Sequence, residues 1–286
     1  MIFCQEEKMK KETLTTVFEA VRKTGPLVHC ITNYVTVNDV ANMVLACGAS
    51  PIMADDKAEA AGITAICSAT YINIGTLNAR TVDSMVLAGK KAEELHHPVV
   101  LDPVGAGASP FRTDTVRRLM DSIHFTVIKG NMSEIKTIAQ GKGTTRGVDA
   151  AAADTVTEAD LNAAAGFVRS LAVRTGSVIA VTGALDIICG GGTAYICRNG
   201  HPMLKSITGS GCMLGAVVAA FCGANPENPV EAAAAAVSAM GLCGERAYRK
   251  TADAGAGTGS FRSYLLDAMS MLTPQSFAEG CKIEER

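Results

Sequence analysis

Short, wholly apolar runs alternate with helical patterns along this chain. LVHCIT (27–32) precedes VNDVANMVLAC (37–47), SPIM (50–53) precedes AEAAGITAIC (58–67), and YINIG (71–75) precedes a long helical pattern through 78–95. The alternation continues through VVLDP (99–103), a helix near 113–122, FTVIKG (125–130), a helix from Ser133, a helix near 157–174 and SVIAVTG (177–183). Strands this short and this apolar, without polar alternation, are buried on both faces. The repetition therefore predicts an α/β fold: a mainly parallel central sheet between two layers of helices. DIICGGGTAYICRNG (186–200) breaks the rhythm as a hairpin with glycines at its turn, and the last third reads as helical from Gly211 to about Leu272.

Composition narrows what such a sheet serves. With 286 residues, 48% hydrophobic and 19% charged, the chain is long enough for one large core. No Pro/Ser-rich linker divides it, so one domain over 1–286 is expected, with its longest loop at 141–154. A net charge of −2, no basic stripe and no tryptophan exclude a nucleic-acid surface and point to a small partner. Ten scattered cysteines without a CxxC or Cys/His spacing form neither a disulfide framework nor a metal site. MIFCQEEKMKK carries acidic residues and no signal-like apolar segment, and no stretch reaches the ~18 apolar residues of a membrane span. A reducing, cytoplasmic setting is expected.

Thr208-Gly209-Ser210-Gly211-Cys212, followed at once by the apolar run from Met213 to Cys222, is the strongest chemical signal. Two glycines around a serine allow a turn that gathers backbone N–H groups, and the run behind them reads as a buried helix. A helix start carries about half a positive charge and unpaired N–H donors, so it holds a phosphate without a basic side chain. The segment lacks the Lys-Ser/Thr of a Walker A loop, and Leu214 stands where G-x-G-x-x-G needs glycine. An ordinary connector has the same composition.

In parallel sheets, ligands bind beyond the carboxyl ends of the strands. Asp102 ends VVLD before the glycine-rich Pro103–Gly107, Lys129 ends FTVIK before Asn131-Met132-Ser133-Glu134, and Thr182 ends SVIAVT. Each has an ordinary explanation: Asp102 as a turn residue, Ser133 and Glu134 as helix caps, Lys129 as a solvated edge. Together they supply what phosphoryl transfer needs, namely carboxylates for hydrated Mg2+, a cation for nucleotide phosphates and N–H donors for the transferred group.

PLVHCITNYVTVNDVANMVLACGASPIMA (26–54), INIGTL (72–77), VVLDPVGAGAS (99–109), IKGNMSEI (128–135), AVTG (180–183) and ITGSGCMLGAVVAAF (207–221) together resemble the hydroxyethylthiazole kinases, a thiamin-salvage family of the ribokinase-like superfamily. The resemblance implies a ribokinase-like three-layer sandwich. It also implies ATP- and Mg2+-dependent phosphorylation of the alcohol of 4-methyl-5-(2-hydroxyethyl)thiazole, by a homotrimer with substrate pockets between subunits. By motif position, Asn33, Val35, Met53 and Gly209 would bind the thiazole, and Lys129 and Thr182 the ATP phosphates. Asp102 and Glu134 would organise Mg2+, in part through water, and Gly209, Ser210, Gly211 and Cys212 would form the anion hole.

Two departures stand out. Lys129 occupies a position that is often Arg in the family, which replaces a planar fork by a point charge. Cys212 stands where many ribokinase-like kinases carry Asp, and two roles are open to it. A helix start favours the thiolate, which makes the thiol a weak general base, or the thiol shapes the pocket while positioning and charge do the work. A hydroxymethylpyrimidine kinase, a dehydratase of hydrated nicotinamide cofactors, and a non-catalytic thiazole- or nucleotide-binding protein are the alternatives. The segment from Asn33 to Met53 disfavours the first two, and the joint presence of Asp102, Asn131, Glu134 and Cys212 disfavours the third.

Overall fold

The computed structural model describes residues 2–140 and 155–286, so the expected loop at 141–154 lies outside them. Nine strands form one sheet: β1 (Leu27–Ile31), β2 (Ser50–Ile52), β3 (Ala69–Asn73), β4 (Val99–Asp102), β5 (Val127–Asn131), β6 (Val178–Thr182), β7 (Asp186–Gly190), β8 (Thr193–Cys197) and β9 (Ile283–Glu285). Their spatial order is β2-β1-β3-β4-β5-β6-β7-β8-β9. The pairings among β1 to β6 are parallel, and β7, β8 and β9 close one edge antiparallel.

Side-chain alternation sends each strand to two cores. Tyr71, Val100, Val127 and Ala180 face one layer; Ile72, Leu101, Ile128 and Ile179 face the other. The first layer contains α1 (Ile2–Thr24), α2 (Val37–Cys47), α8 (Ser210–Ala224), α9 (Pro229–Asp253), α10 (Thr258–Ser270) and α11 (Pro274–Gly280). The second contains α3 (Ala60–Ile66), α4 (Ala79–Glu94), α5 (Pro110–Ser122), α6 (Met132–Gln140) and α7 (Leu161–Thr175). Every residue of α8 from Met213 to Cys222 is buried, as an all-apolar helix requires. It lies against β1, β3 and β4, so its N-terminus opens at the carboxyl ends of those strands.

The expected elements appear within a few residues of their predicted bounds, with three differences. The N-terminal segment, read only for targeting, is a 23-residue helix whose Leu14, Val17, Phe18 and Val21 enter the first core. The C-terminal helices continue past Leu272 with α11, which Thr273 caps before Pro274. The end of the chain returns to the sheet as β9, Ile283 pairing with Cys197.

One buried polar contact fixes the β1 side of the sheet. His29 of β1 has Nε2 2.7 Å from the Ala54 carbonyl and Nδ1 2.8 Å from the Thr64 hydroxyl. Nε2 must carry the proton to donate to a carbonyl, and Nδ1 meets the Thr64 hydroxyl, whose single proton also has the Ala60 carbonyl at 2.9 Å within reach. Burial holds the ring below its ordinary pKa, against the Ala54 carbonyl and Glu59, which favour the cation. The unfolded chain then takes up a proton at higher pH than the folded one, so the stability from neutral His29 is full above about pH 6.5 and lost below it. Denaturant midpoints of wild type and His29→Gln should therefore converge as pH falls from about 7.5 to about 5.5. A gap independent of pH would contradict a neutral, buried imidazole.

Candidate active site

The strand register assembles the site. Asn73 at the end of β3 lies beside Asp102 at the end of β4, and Asn131 at the end of β5 beside Thr182 at the end of β6. The ends of β4, β5 and β6 border a cleft of about 1070 Å3, which the turn from Thr208 to Cys212 also lines. Gly209 caps α8 with φ +86°, in the left-handed region. A Cβ there would stand 2.5 Å from Cγ2 of Thr36, so both conformation and space demand glycine. The first intrahelical bond runs from the Met213 N–H to the Gly209 carbonyl at 2.8 Å. The N–H groups of Ser210, Gly211 and Cys212 precede it and have no intrahelical acceptor.

Asp102 is the charged centre of the cleft floor. Its Oδ2 accepts from the Tyr71 hydroxyl at 2.9 Å, Asn73 Nδ2 at 3.1 Å and Lys129 Nζ at 3.3 Å. Its Oδ1 is buried and has no hydrogen-bond partner. Burial pushes the carboxyl above the usual range, and Lys129, then Tyr71 and Asn73, pull it part of the way back. For Lys129, burial opposes the charge, and Asp102, with Cys212 and Glu134, more than restores it, so the amine stays protonated.

Asn131 and Glu134 cap α6 reciprocally. The Glu134 N–H donates to Asn131 Oδ1 and the Asn131 N–H to Glu134 Oε2, both at 2.9 Å. The other oxygen, Oε1, accepts from the Gly105 N–H at 2.8 Å. Glu134 thus joins α6 to the glycine-rich loop after β4, the capping role and the cleft role in one side chain. Burial and the charge of Asp102 push its carboxyl up to about 7, against Lys129 and the two backbone donors.

The expected site residues separate into two groups. Asn33, Val35, Asp102, Lys129, Glu134, Thr182 and Gly209 to Cys212 all line the cleft. Met53 does not: it follows β2, is 36% exposed, and lies outside the lining of its own chain's cleft. Lys129 differs from a solvated phosphate ligand, being only 4% exposed and donating to both Asp102 and the Gly211 carbonyl, the latter at 3.0 Å. Two of its three hydrogens are thereby engaged within the protein.

Cys212 corrects the thiolate expectation. Burial and the Asp102 carboxylate raise its pKa, and these outweigh Lys129 and the hydrogen bonds with Asn73 and Thr36. Asn33 Nδ2 lies 3.2 Å from the sulfur. The resting site therefore holds a neutral thiol.

Four contributors escaped the sequence reading. Tyr71 and Asn73 sit in β3 beneath the cleft, and Thr36 holds Asn33 through two bonds to its Oδ1, at 3.0 and 3.1 Å. Arg112 of α5 donates to the carbonyls of Ile74, Val104 and Gly75 at 2.6, 2.6 and 2.7 Å, stapling the loops after β3 and β4. INIGTL contained Asn73 as a strand-end amide. Nothing local marked Tyr71 or Arg112, whose partners are distant in sequence.

A mainly parallel sheet of this order between two helical layers, with a glycine-flanked helix start beside carboxylates at strand ends, is a ribokinase-like fold. A ribokinase-like superfamily protein of Enterococcus faecalis has the same fold, with a TM-score of 0.57 at 12% identity over 91% of this chain and 95% of its own. The chain belongs to the hydroxyethylthiazole kinase family, whose model matches residues 18–275. It is 50% identical over 276 residues to a hydroxyethylthiazole kinase of Clostridium acetobutylicum, covering 96% of this chain and 99% of the relative. It is 51% identical over 263 residues to that of Desulfovibrio desulfuricans, covering 90% and 92%. The structure of a hydroxyethylthiazole kinase protein from Pyrococcus horikoshii superposes with a TM-score of 0.85 at 34% identity over 96% of this chain and 99% of that one.

Of the nine cysteines with described surroundings, eight are buried and Cys212 alone is partly exposed. Native labelling with a bulky maleimide should lose one equivalent in Cys212→Ser, and ADP should slow the reaction in the wild type. Equal labelling of both proteins would place the reactive thiol elsewhere.

Proposed function

We propose that this kinase transfers the γ-phosphoryl group of ATP to the primary alcohol of 4-methyl-5-(2-hydroxyethyl)thiazole, with Mg2+ as the metal. The observation that carries the reading is the α8 start, with its glycine-flanked N–H groups, lining one cleft together with Asp102 and Glu134. Leu204, Leu214, Val237 and Met240 are apolar lining residues of the kind a nucleobase needs, and Asn33, Val35 and Thr36 in the same lining suit the thiazole.

The residues present fit Mg2+. Oδ1 of Asp102 is a buried oxygen without a partner in the cleft floor, and Glu134 is a second carboxylate nearby. Among the described residues no three His, Cys, Asp or Glu side chains gather into a metal cage, which suits a cation that keeps most of its water. Bound there, Mg2+ would neutralise phosphate charge during transfer.

The chain's own groups do the rest. The N–H donors of Ser210, Gly211 and Cys212 receive the charge of the phosphoryl group in flight. Lys129 and Thr182 orient the donor phosphates. The Cys212 thiol borders the alcohol and assists as a neutral group, because a loose transition state needs little early proton removal. Met53 serves the cleft of a neighbouring copy in a homotrimer, which accounts for its place outside its own. An ATP-consuming enzyme with unpaired thiols fits the cytoplasm.

ADP release should appear with MgATP and the thiazole alcohol and not with hydroxymethylpyrimidine. Release with the pyrimidine alone would overturn the thiazole pocket, and release with neither would overturn the transfer reading. Cys212→Ser should lower kcat about tenfold, short of the 10²–10⁴ of a full general base. Unchanged turnover at every pH would remove the thiol from the reaction. Sedimentation should give three times the 29.6 kDa chain mass, and Met53→Ala should raise KM for the thiazole with KM for ATP unaltered; a monomer with full activity would refute the shared pocket.

A further inference from the structure

Two successive carbonyls in the first turn of α8 are held from below, and both holders also touch Asp102. Lys129 Nζ reaches the Gly211 carbonyl at 3.0 Å and Asp102 Oδ2 at 3.3 Å. The Tyr71 hydroxyl lies 2.9 Å from the Cys212 carbonyl and 2.9 Å from the same Oδ2. We propose that Tyr71 is a positioning residue for phosphoryl transfer, fixing the start of α8 relative to the Asp102 carboxylate through its single hydroxyl. The proposal rests on the phosphoryl-transfer reading of the cleft.

The phenol is built for this and for little else. Tyr71 is fully buried in β3 and its ring fits beneath α8 at Gly215. A Cβ on Gly215 would stand 2.6 Å from Cε2 and 2.7 Å from the hydroxyl oxygen of Tyr71, so the helix approaches the ring as closely as glycine permits. Phenylalanine would fill the same space without a polar atom to satisfy. The hydroxyl is instead engaged on every side: it accepts from Asn73 Nδ2 at 2.8 Å and has one proton for two oxygens at equal distance.

The consequence is geometric. Asp102 carries a buried oxygen without a partner, and α8 carries the N–H donors, on separate elements of the fold. Catalysis by positioning requires their spacing to hold within a fraction of an ångström. Lys129 alone, on a flexible four-carbon stem, is a weak ruler. The rigid ring of Tyr71, locked between β3 and Gly215, supplies the second fixed point.

The test uses Tyr71→Phe, Asp102→Asn and the double variant in the full-length protein, read by steady-state kinetics and thermal melting. Tyr71→Phe should lower kcat at least tenfold with KM for ATP and for the thiazole alcohol each within about twofold, and Tm should stay within a few degrees. In the Asp102→Asn background the same change should lower kcat by less than about twofold, since the link has already lost its carboxylate. A Tyr71→Phe variant with kcat within twofold of wild type overturns the proposal, as does a loss that multiplies in full on top of Asp102→Asn. A drop in Tm with proportionate loss of active protein and unchanged kcat per folded molecule marks a purely structural phenol and overturns it too. Retention of wild-type kcat by Asp102→Asn alone would fault the reading of the cleft rather than the role of Tyr71. If Tyr71→Phe fails to fold, the hydroxyl is a stability device and the proposal is overturned.

Discussion

The buried contact between Asp102 and Lys129 is the constraint on which the cleft depends. Each group is almost wholly removed from water, Asp102 at 1% and Lys129 at 5% side-chain exposure, and neither charge is tolerable there alone. Removing one partner of such a pair leaves an uncompensated charge and costs about 3–5 kcal/mol, whereas the intact pair adds little net stability. The value of the pair is spatial. It holds β4, β5 and the first turn of α8 to one point, at the place where a phosphoryl group would be received.

α8 supplies the other half of that arrangement. Its first turn presents N–H donors and its remainder, from Met213 to Cys222, is buried among the residues of the larger core. A helix so deeply packed cannot swing, so the orientation of its N-terminus is set by apolar contacts far from the chemistry. Glu134 performs a matching task on the far side of the cleft, capping α6 while it tethers Gly105. Positioning falls to rigid elements and buried polar bonds, which is the economy a loose transition state permits.

The layered fold was legible in the sequence because unalternating apolar runs have one solution, a parallel sheet covered twice. The N-terminal helix is equally legible in Leu14, Val17, Phe18 and Val21, spaced for one helical face, although residues 1–11 by themselves show only that no signal-like apolar segment is present. β9 was not legible: Ile283–Glu285 is three residues that become a strand only because β8 offers an edge. At the site, Asp102, Glu134 and the Gly209–Cys212 turn stood out because strand ends and glycine patterns are local signals. Tyr71 and Arg112 did not, because their roles arise from contacts across the sheet. The Cys212 thiol misled for a related reason. The helix start that favours a thiolate is visible in the chain, whereas the burial and the Asp102 charge that oppose it are visible only in the fold.

If the Asp102–Lys129 contact sets the floor of a metal-assisted phosphate site, Asp102 should matter to nucleotide binding only when the cation is present. Calorimetric titration of ADP, with Mg2+ and with EDTA, into wild type and Asp102→Asn reads this directly. The expected result is a gain in ADP affinity on adding Mg2+ in the wild type that is lost in Asp102→Asn, with the two proteins alike in EDTA. An equal Mg2+-dependent gain in both would contradict the account and return Asp102 to the role of a buried structural ion.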